Sequence, residues 1–137
     1  MDHDPRDVVG VYLTFPDAAT AEAIGAALLA AGLAACVNLF APVTSLYRWE
    51  GALQRDPEVV AWAKTTRARL PALAALLRAR HPYEVPCVVA YPVVGGDEAY
   101  LEWVRAEVGH DPVGSVGGPE SAVGGAAAEG AAEGGTP

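Results

Sequence analysis

Residues 44–66 read TSLYRWEGALQRDPEVVAWAKTT. Two β-prone runs, TSLYRW and PEVVAWAKTT, flank Glu50-Gly51, where glycine supplies a positive φ at little cost and so marks a tight turn. The upstream strand reaches back to Leu33. From there Leu33, Ala35, Val37 and Leu39 share one face and Ala34, Cys36, Asn38 and Phe40 the other, until Pro42 interrupts. A turn centred on residues 50–51 sets Val37 against Lys64. A bulge at Pro42 or at Asp56-Pro57 would instead bring Asn38 opposite Lys64. The pattern is an unusually long hairpin, and a hairpin alone is marginal in water, so flanking elements must complete its sheet.

Those elements are legible on both sides. VVGVYLTF (8–15) is β-branched and aromatic and stops at Pro16, as a buried strand does. Asp17 offers an N-cap, and Ile24, Leu28 and Ala31 fall on one face of a helix over 17–31. Gly32 follows as the residue after the cap, with Leu33 placed for the hydrophobic contact of a Schellman ending. Gly25 within the helix costs roughly 1 kcal/mol against alanine. Downstream, Leu70, Leu73 and Leu77 line a helix over 69–80, with Pro71 in its tolerant first turn. That helix must end before Pro82, which drives His81 toward extended geometry. Residues 87–93 form a fourth strand. Asp97 caps a last helix with Leu101, Val104 and Val108 on one face. With right-handed crossovers, the order β-α-β-β-α-β plus a helix gives an α+β ferredoxin-like sandwich: an antiparallel sheet, helices on one face, and an extra C-terminal helix. Tyr47, Trp49 and Trp62 leave aromatic sheet surface uncovered, which points to self-association.

The chain has 137 residues, 52% of them hydrophobic, enough for one domain. We assign residues 1–108 to it and expect the Gly/Ala/Glu-rich remainder, 109–137, to be disordered. The net charge is -8. Half of it lies in that tail through Asp111, Glu120, Glu129 and Glu133, and the acidic balance argues against nucleic acid. No run has the length and apolarity of a membrane span. The acidic MDHDPRDVV start lacks the layout of a signal peptide, so a cytoplasmic location with Cys36 and Cys87 reduced is expected. No Ser-His-Asp order, Walker loop, HExxH, GxGxxG or CxxC is present, which argues against an enzyme.

AACVNL (34–39), TSLYRWEG (44–51), AKTT (63–66), RHPYEVP (80–86) and DEAYLEWV (97–104) together resemble the CutA family of divalent-cation tolerance proteins, over about residues 8–108. The resemblance implies a ferredoxin-like homotrimer whose hairpins pair edge to edge, a role in the response to metal ions such as copper, and an architecture like that of the PII signalling proteins. Leu13 stands where members with a copper site carry a cysteine. Arg80 replaces the first of a histidine pair, and Cys87 replaces a glutamate. The resemblance therefore implies weak binding of Cu(II) or another divalent cation, with none required for folding.

Two sets of side chains are candidates. For metal they are His81, Cys36 and Cys87, since imidazole and thiolate are transition-metal ligands. The two cysteines sit on strands too far apart within one chain to meet, so they would need a second subunit. For a small ligand the candidates are Asn38, Tyr47, Trp49, Glu58, Lys64, Tyr83 and Glu84. In the PII-like alternative, an intersubunit cleft holds an anion near Lys64, the sole lysine.

Overall fold

The computed structural model describes residues 3–109. Its elements are β1 (Val8–Phe15), α1 (Ala18–Ala30), β2 (Cys36–Leu39), β3 (Val43–Trp49), β4 (Ala52–Thr66), a 3-10 turn (Arg67–Arg69), α2 (Leu70–Arg80), β5 (Val88–Pro92) and α3 (Glu98–Val108). The disorder expected of the tail falls on residues that, beyond 109, lie outside those described.

Local chemistry sets the element ends. Asp17 accepts a 2.8 Å hydrogen bond from the Thr20 N–H and starts α1. At the other end Gly32 takes φ 71°, its N–H donates to the Leu29 carbonyl, and the Leu33 N–H donates to that of Leu28. That pair of bonds is a Schellman ending. Asp97 caps α3 through the Tyr100 N–H. Glu50 and Gly51 both adopt positive φ, 51° and 83°, which closes the β3–β4 hairpin as a two-residue turn.

The sheet runs β2-β4-β1-β5, with β3 continuing beside the outer half of β4. All its pairings are antiparallel, so the fold is the expected α+β ferredoxin-like sandwich. β4 belongs to two partnerships. Its inner half pairs with β1 and β2, while its outer half leaves the sheet with β3 as a two-stranded arm.

The register corrects one expectation. Lys64 faces Cys36, not Asn38 or Val37, and Asn38 faces Trp62. Leu39 pairs with Ala61 and Val43 with Glu58, so the segment between β2 and β3 carries one more residue than the facing part of β4. The bulge is therefore on the Pro42 side. An extra residue on the Asp56-Pro57 side would have brought Asn38 to Lys64.

The core lies between sheet and helices. Val9, Val11, Leu13 and Phe15 of β1 pack against Ala21, Ile24 and Leu28 of α1 and against Leu73 and Leu77 of α2. Burial of such side chains is worth about 1.5–3 kcal/mol each before entropy is counted. On the opposite face α3 covers one end, where Leu101 and Val104 meet Val8. The rest of that face carries a row of rings. Trp62 stands edge-on to Tyr12 and tilted to Tyr91, both at 5.5 Å between centroids.

Candidate functional site

The corner between α2 and β5 is built around His81. Pro82 forces the residue out of helical geometry, to φ -76° and ψ 139°, while its N–H still bonds to the Leu77 carbonyl. The imidazole is 7% exposed and stacks on Phe15 at 5.1 Å. Nε2 lies 2.7 Å from the Thr14 carbonyl oxygen, and Nδ1 accepts from the Tyr83 N–H at 3.1 Å. A carbonyl only accepts and an amide N–H only donates, so these partners assign a neutral ring with its proton on Nε2.

That ring positions Tyr83, whose own ring lies 4.6 Å away. The Tyr83 hydroxyl donates to Oε2 of Glu58 at 2.7 Å. A parallel pair lies further out, where the Tyr47 hydroxyl donates to Oδ2 of Asp56 at 2.7 Å. Glu58 is 9% exposed, at the point where β4 leaves the sheet to become the arm. Between corner and arm lies a cleft of about 570 Å³.

The cleft holds its protons. Burial first, then the hydrogen bond and negative charge of Glu58, push the Tyr83 phenol well above the ordinary tyrosine value. The bond to Asp56 does most to raise Tyr47. Burial and the Glu58 charge raise Cys87. A thiol held protonated is a poor metal ligand and a poor nucleophile.

Of the residues singled out in the sequence, Tyr47, Trp49, Glu58, Tyr83, Glu84 and Cys87 all line this cleft. Asn38 and Lys64 are not among its walls. Lys64 lies toward α3, with Nζ 5.9 Å from the centre of the Tyr100 ring. Cys36 is there too, its Sγ 3.3 Å from the Tyr100 hydroxyl, which burial and Cys36 push up to about 12. The sequence pattern did not single out Tyr12, Thr14 and Ser45 in the cleft wall or Asp56 behind it. Strand alternation places Tyr12 and Thr14 on the face opposite Leu13, so that signal was available.

The metal candidates do not come together. Cys36 lies on β2 and Cys87 just before β5, the strands at opposite edges of the sheet, and both thiols are free. Both nitrogens of His81 are committed to the backbone. Among the described residues no group of three or more His, Cys, Asp or Glu side chains is placed to hold a metal ion. The described part of one chain therefore offers no closed donor set for a transition metal.

Residues 9–107 match the family described as CutA1 divalent ion tolerance protein. The human protein CutA is 43% identical over 101 residues, which are 74% of this chain and 56% of the human one, so the chain spans little more than half of that relative's length. The solved structure of the divalent cation tolerance protein from Thermus thermophilus superposes with a TM-score of 0.72 at 40% identity, covering 73% of this chain and 97% of that one. That of the periplasmic divalent cation tolerance protein CutA from Archaeoglobus fulgidus does so with a TM-score of 0.72 at 34% identity, covering 74% of this chain and 98% of that one. With ferredoxin-like topology, arm and matched sequence in agreement, the chain belongs to the CutA divalent ion tolerance family.

Proposed function

We propose that the chain acts as a homotrimeric, cytoplasmic divalent-cation response protein whose role is binding rather than catalysis, with residues 1–108 as the working unit. The observation that carries this reading is the arm. It projects beyond the sheet with Leu46 66% and Leu53 75% exposed, and both its strands present outer edges. Exposed strand edges bearing apolar side chains are templates for pairing with another copy. No helix among the described residues is long and apolar enough to cross a membrane.

Cation binding is weak in this reading, with Cu(II) the cation to test first. The nearby carboxylates, Glu58 and Asp56, each already accept a phenol, which leaves a divalent ion mostly water-coordinated. Folding needs no metal, because the core is closed by apolar packing. The PII-like alternative, an anion near Lys64, fits less well. That lysine is beside Tyr100, while the cleft presents carboxylates.

Light scattering on purified protein is expected to give three times the 14.1 kDa chain mass. Calorimetric titration with Cu²⁺ and Zn²⁺ is expected to give micromolar or weaker affinity. A monomer at micromolar concentration, or metal-dependent folding, overturns the reading.

A further inference from the structure

Glu58 poses a physical problem. It is a largely buried carboxylate, and its hydrogen-bond partner is the neutral hydroxyl of Tyr83. A phenol satisfies one acceptor site but leaves the negative charge uncompensated, and a buried charge is costly without a counter-charge. The described side chains around the cleft supply none. The walls include Glu58 and Glu84 and, among the described residues, contain no lysine, arginine or histidine.

The same walls carry the aromatic rings of Tyr12, Tyr47, Trp49 and Tyr83. This combination does not suit a divalent metal ion, which requires several oxygen or nitrogen ligands converging on one point. An organic ammonium or guanidinium group has different needs. It is held by one or two acceptors and by the negative faces of aromatic rings, and its alkyl stem gains from apolar walls. A volume of about 570 Å³ is within the range of small-molecule sites.

We propose that the cleft takes a small organic cation, with Glu58 as its counter-charge and Trp49 and Tyr47 as its aromatic walls. The inference rests on the cleft being a ligand site and names the chemical class that site prefers. Glu84, an exposed carboxylate in the same lining, favours a ligand with a second positive group.

The test is calorimetric titration of the full chain with 1,4-diaminobutane and, in parallel, with 1,4-butanediol, a neutral molecule of similar size. The diamine is expected to bind saturably and about tenfold tighter than the diol, since the difference between them is charge. Glu58→Gln keeps an acceptor for Tyr83 and removes the charge. It is expected to weaken the diamine about tenfold and leave the diol unchanged. Trp49→Leu, on the exposed arm, is expected to weaken the diamine about threefold or more. Circular dichroism and light scattering are run on both variants, and only a variant that keeps fold and mass is scored. Diamine binding no tighter than that of the diol, or unaltered by Glu58→Gln in a folded variant, overturns the proposal. If the diamine fails while the trimer forms and Cu²⁺ still binds at micromolar level, the organic cation is wrong and the proposed function stands. A monomeric chain that binds the diamine overturns the proposed function and leaves the organic cation standing.

Discussion

The hydroxyl of Tyr83 donates a 2.7 Å hydrogen bond to Glu58, joining the corner after α2 to the base of the arm. The two residues meet because His81 holds the corner against β1 through the Thr14 carbonyl. Three separate pieces of chain are thereby fixed to one another by a histidine, a tyrosine and a glutamate.

Removing the phenol oxygen isolates that carboxylate. Tyr83→Phe is expected to destabilise the protein by about 1–2 kcal/mol, the cost of leaving a largely buried acceptor without its donor. Tyr83→Phe combined with Glu58→Gln is expected to cost less than the two single changes together. Urea unfolding of the four proteins measures the coupling. Strict additivity would show that the charge of Glu58 adds nothing to the bond, since glutamine still offers Tyr83 an acceptor.

His81→Ala removes two hydrogen bonds and a ring stacked in the core. A loss of about 2–4 kcal/mol is expected, seen as a lower melting temperature. Because both ring nitrogens are already engaged, Cu²⁺ affinity should change less than about twofold, within the scatter of a titration. A large loss of Cu²⁺ binding in a folded variant would make the imidazole a metal ligand after all.

Alkaline pH should weaken the fold. Tyr47, Tyr83 and Tyr100 are all raised above the ordinary value of 10.0, so the folded state favours their neutral forms. Their contribution is fully present below pH about 10 and is lost as pH climbs from there through the folded values. The melting temperature is expected to be flat up to pH about 8, to begin falling at pH about 9, where the raised Cys87 thiol starts to contribute, and to fall more steeply above pH about 10. Tyr83→Phe should make that fall shallower. An equally steep decline in the variant would assign it to other groups.

Two glycines should respond oppositely to alanine. At Gly25 a Cβ would sit 3.5 Å from Cγ1 of Val37, an ordinary contact. Gly25→Ala should therefore be neutral or stabilising by up to about 1 kcal/mol. At Gly10 a Cβ would meet the Trp62 ring at 3.3 Å, and that ring is held between Tyr12 and Tyr91. Gly10→Ala should cost about 1–2 kcal/mol as the row of rings shifts. Thermal melts of the two variants check the signs.

The fold is largely legible in the sequence because its signals are local. Asp17, Gly32, Glu50-Gly51, Pro82 and Asp97 each mark an element end by their own chemistry, and the apolar periods between them say which face is buried. The site is legible only in part. Tyr47, Trp49, Glu58, Tyr83 and Glu84 do share one cleft. Lys64 and Asn38 fall elsewhere because position along a strand depends on where an extra residue is inserted, and Pro42 and Pro57 are equal candidates for it. His81 is ambiguous in sequence because a metal ligand and a buried ring bonded to the backbone look alike there. The groups that decide between them, the Thr14 carbonyl and the Tyr83 N–H, belong to the backbone, and almost any residue supplies those.

The extra residue between β2 and β3 is also a joint. On one side of it the even-numbered Cys36 and Asn38 lie against Lys64 and Trp62; on the other the odd-numbered Val43 and Ser45 lie against Glu58 and Asp56. Side chains alternate along a strand, so the insertion is what exchanges even for odd. Deleting one residue from 40–42 would leave the rest of that segment to face Val59 and Val60 in an unbroken ladder, with the pairs on either side unchanged. What would go is the bend, because a bulge kinks its strand and tightens the local twist. The arm would then leave the sheet at a different angle. The cleft is the space between corner and arm, so its width follows that angle, as does the direction in which the arm's open edges point. A single residue of surplus length thus aims the arm, whatever its own side chain happens to be.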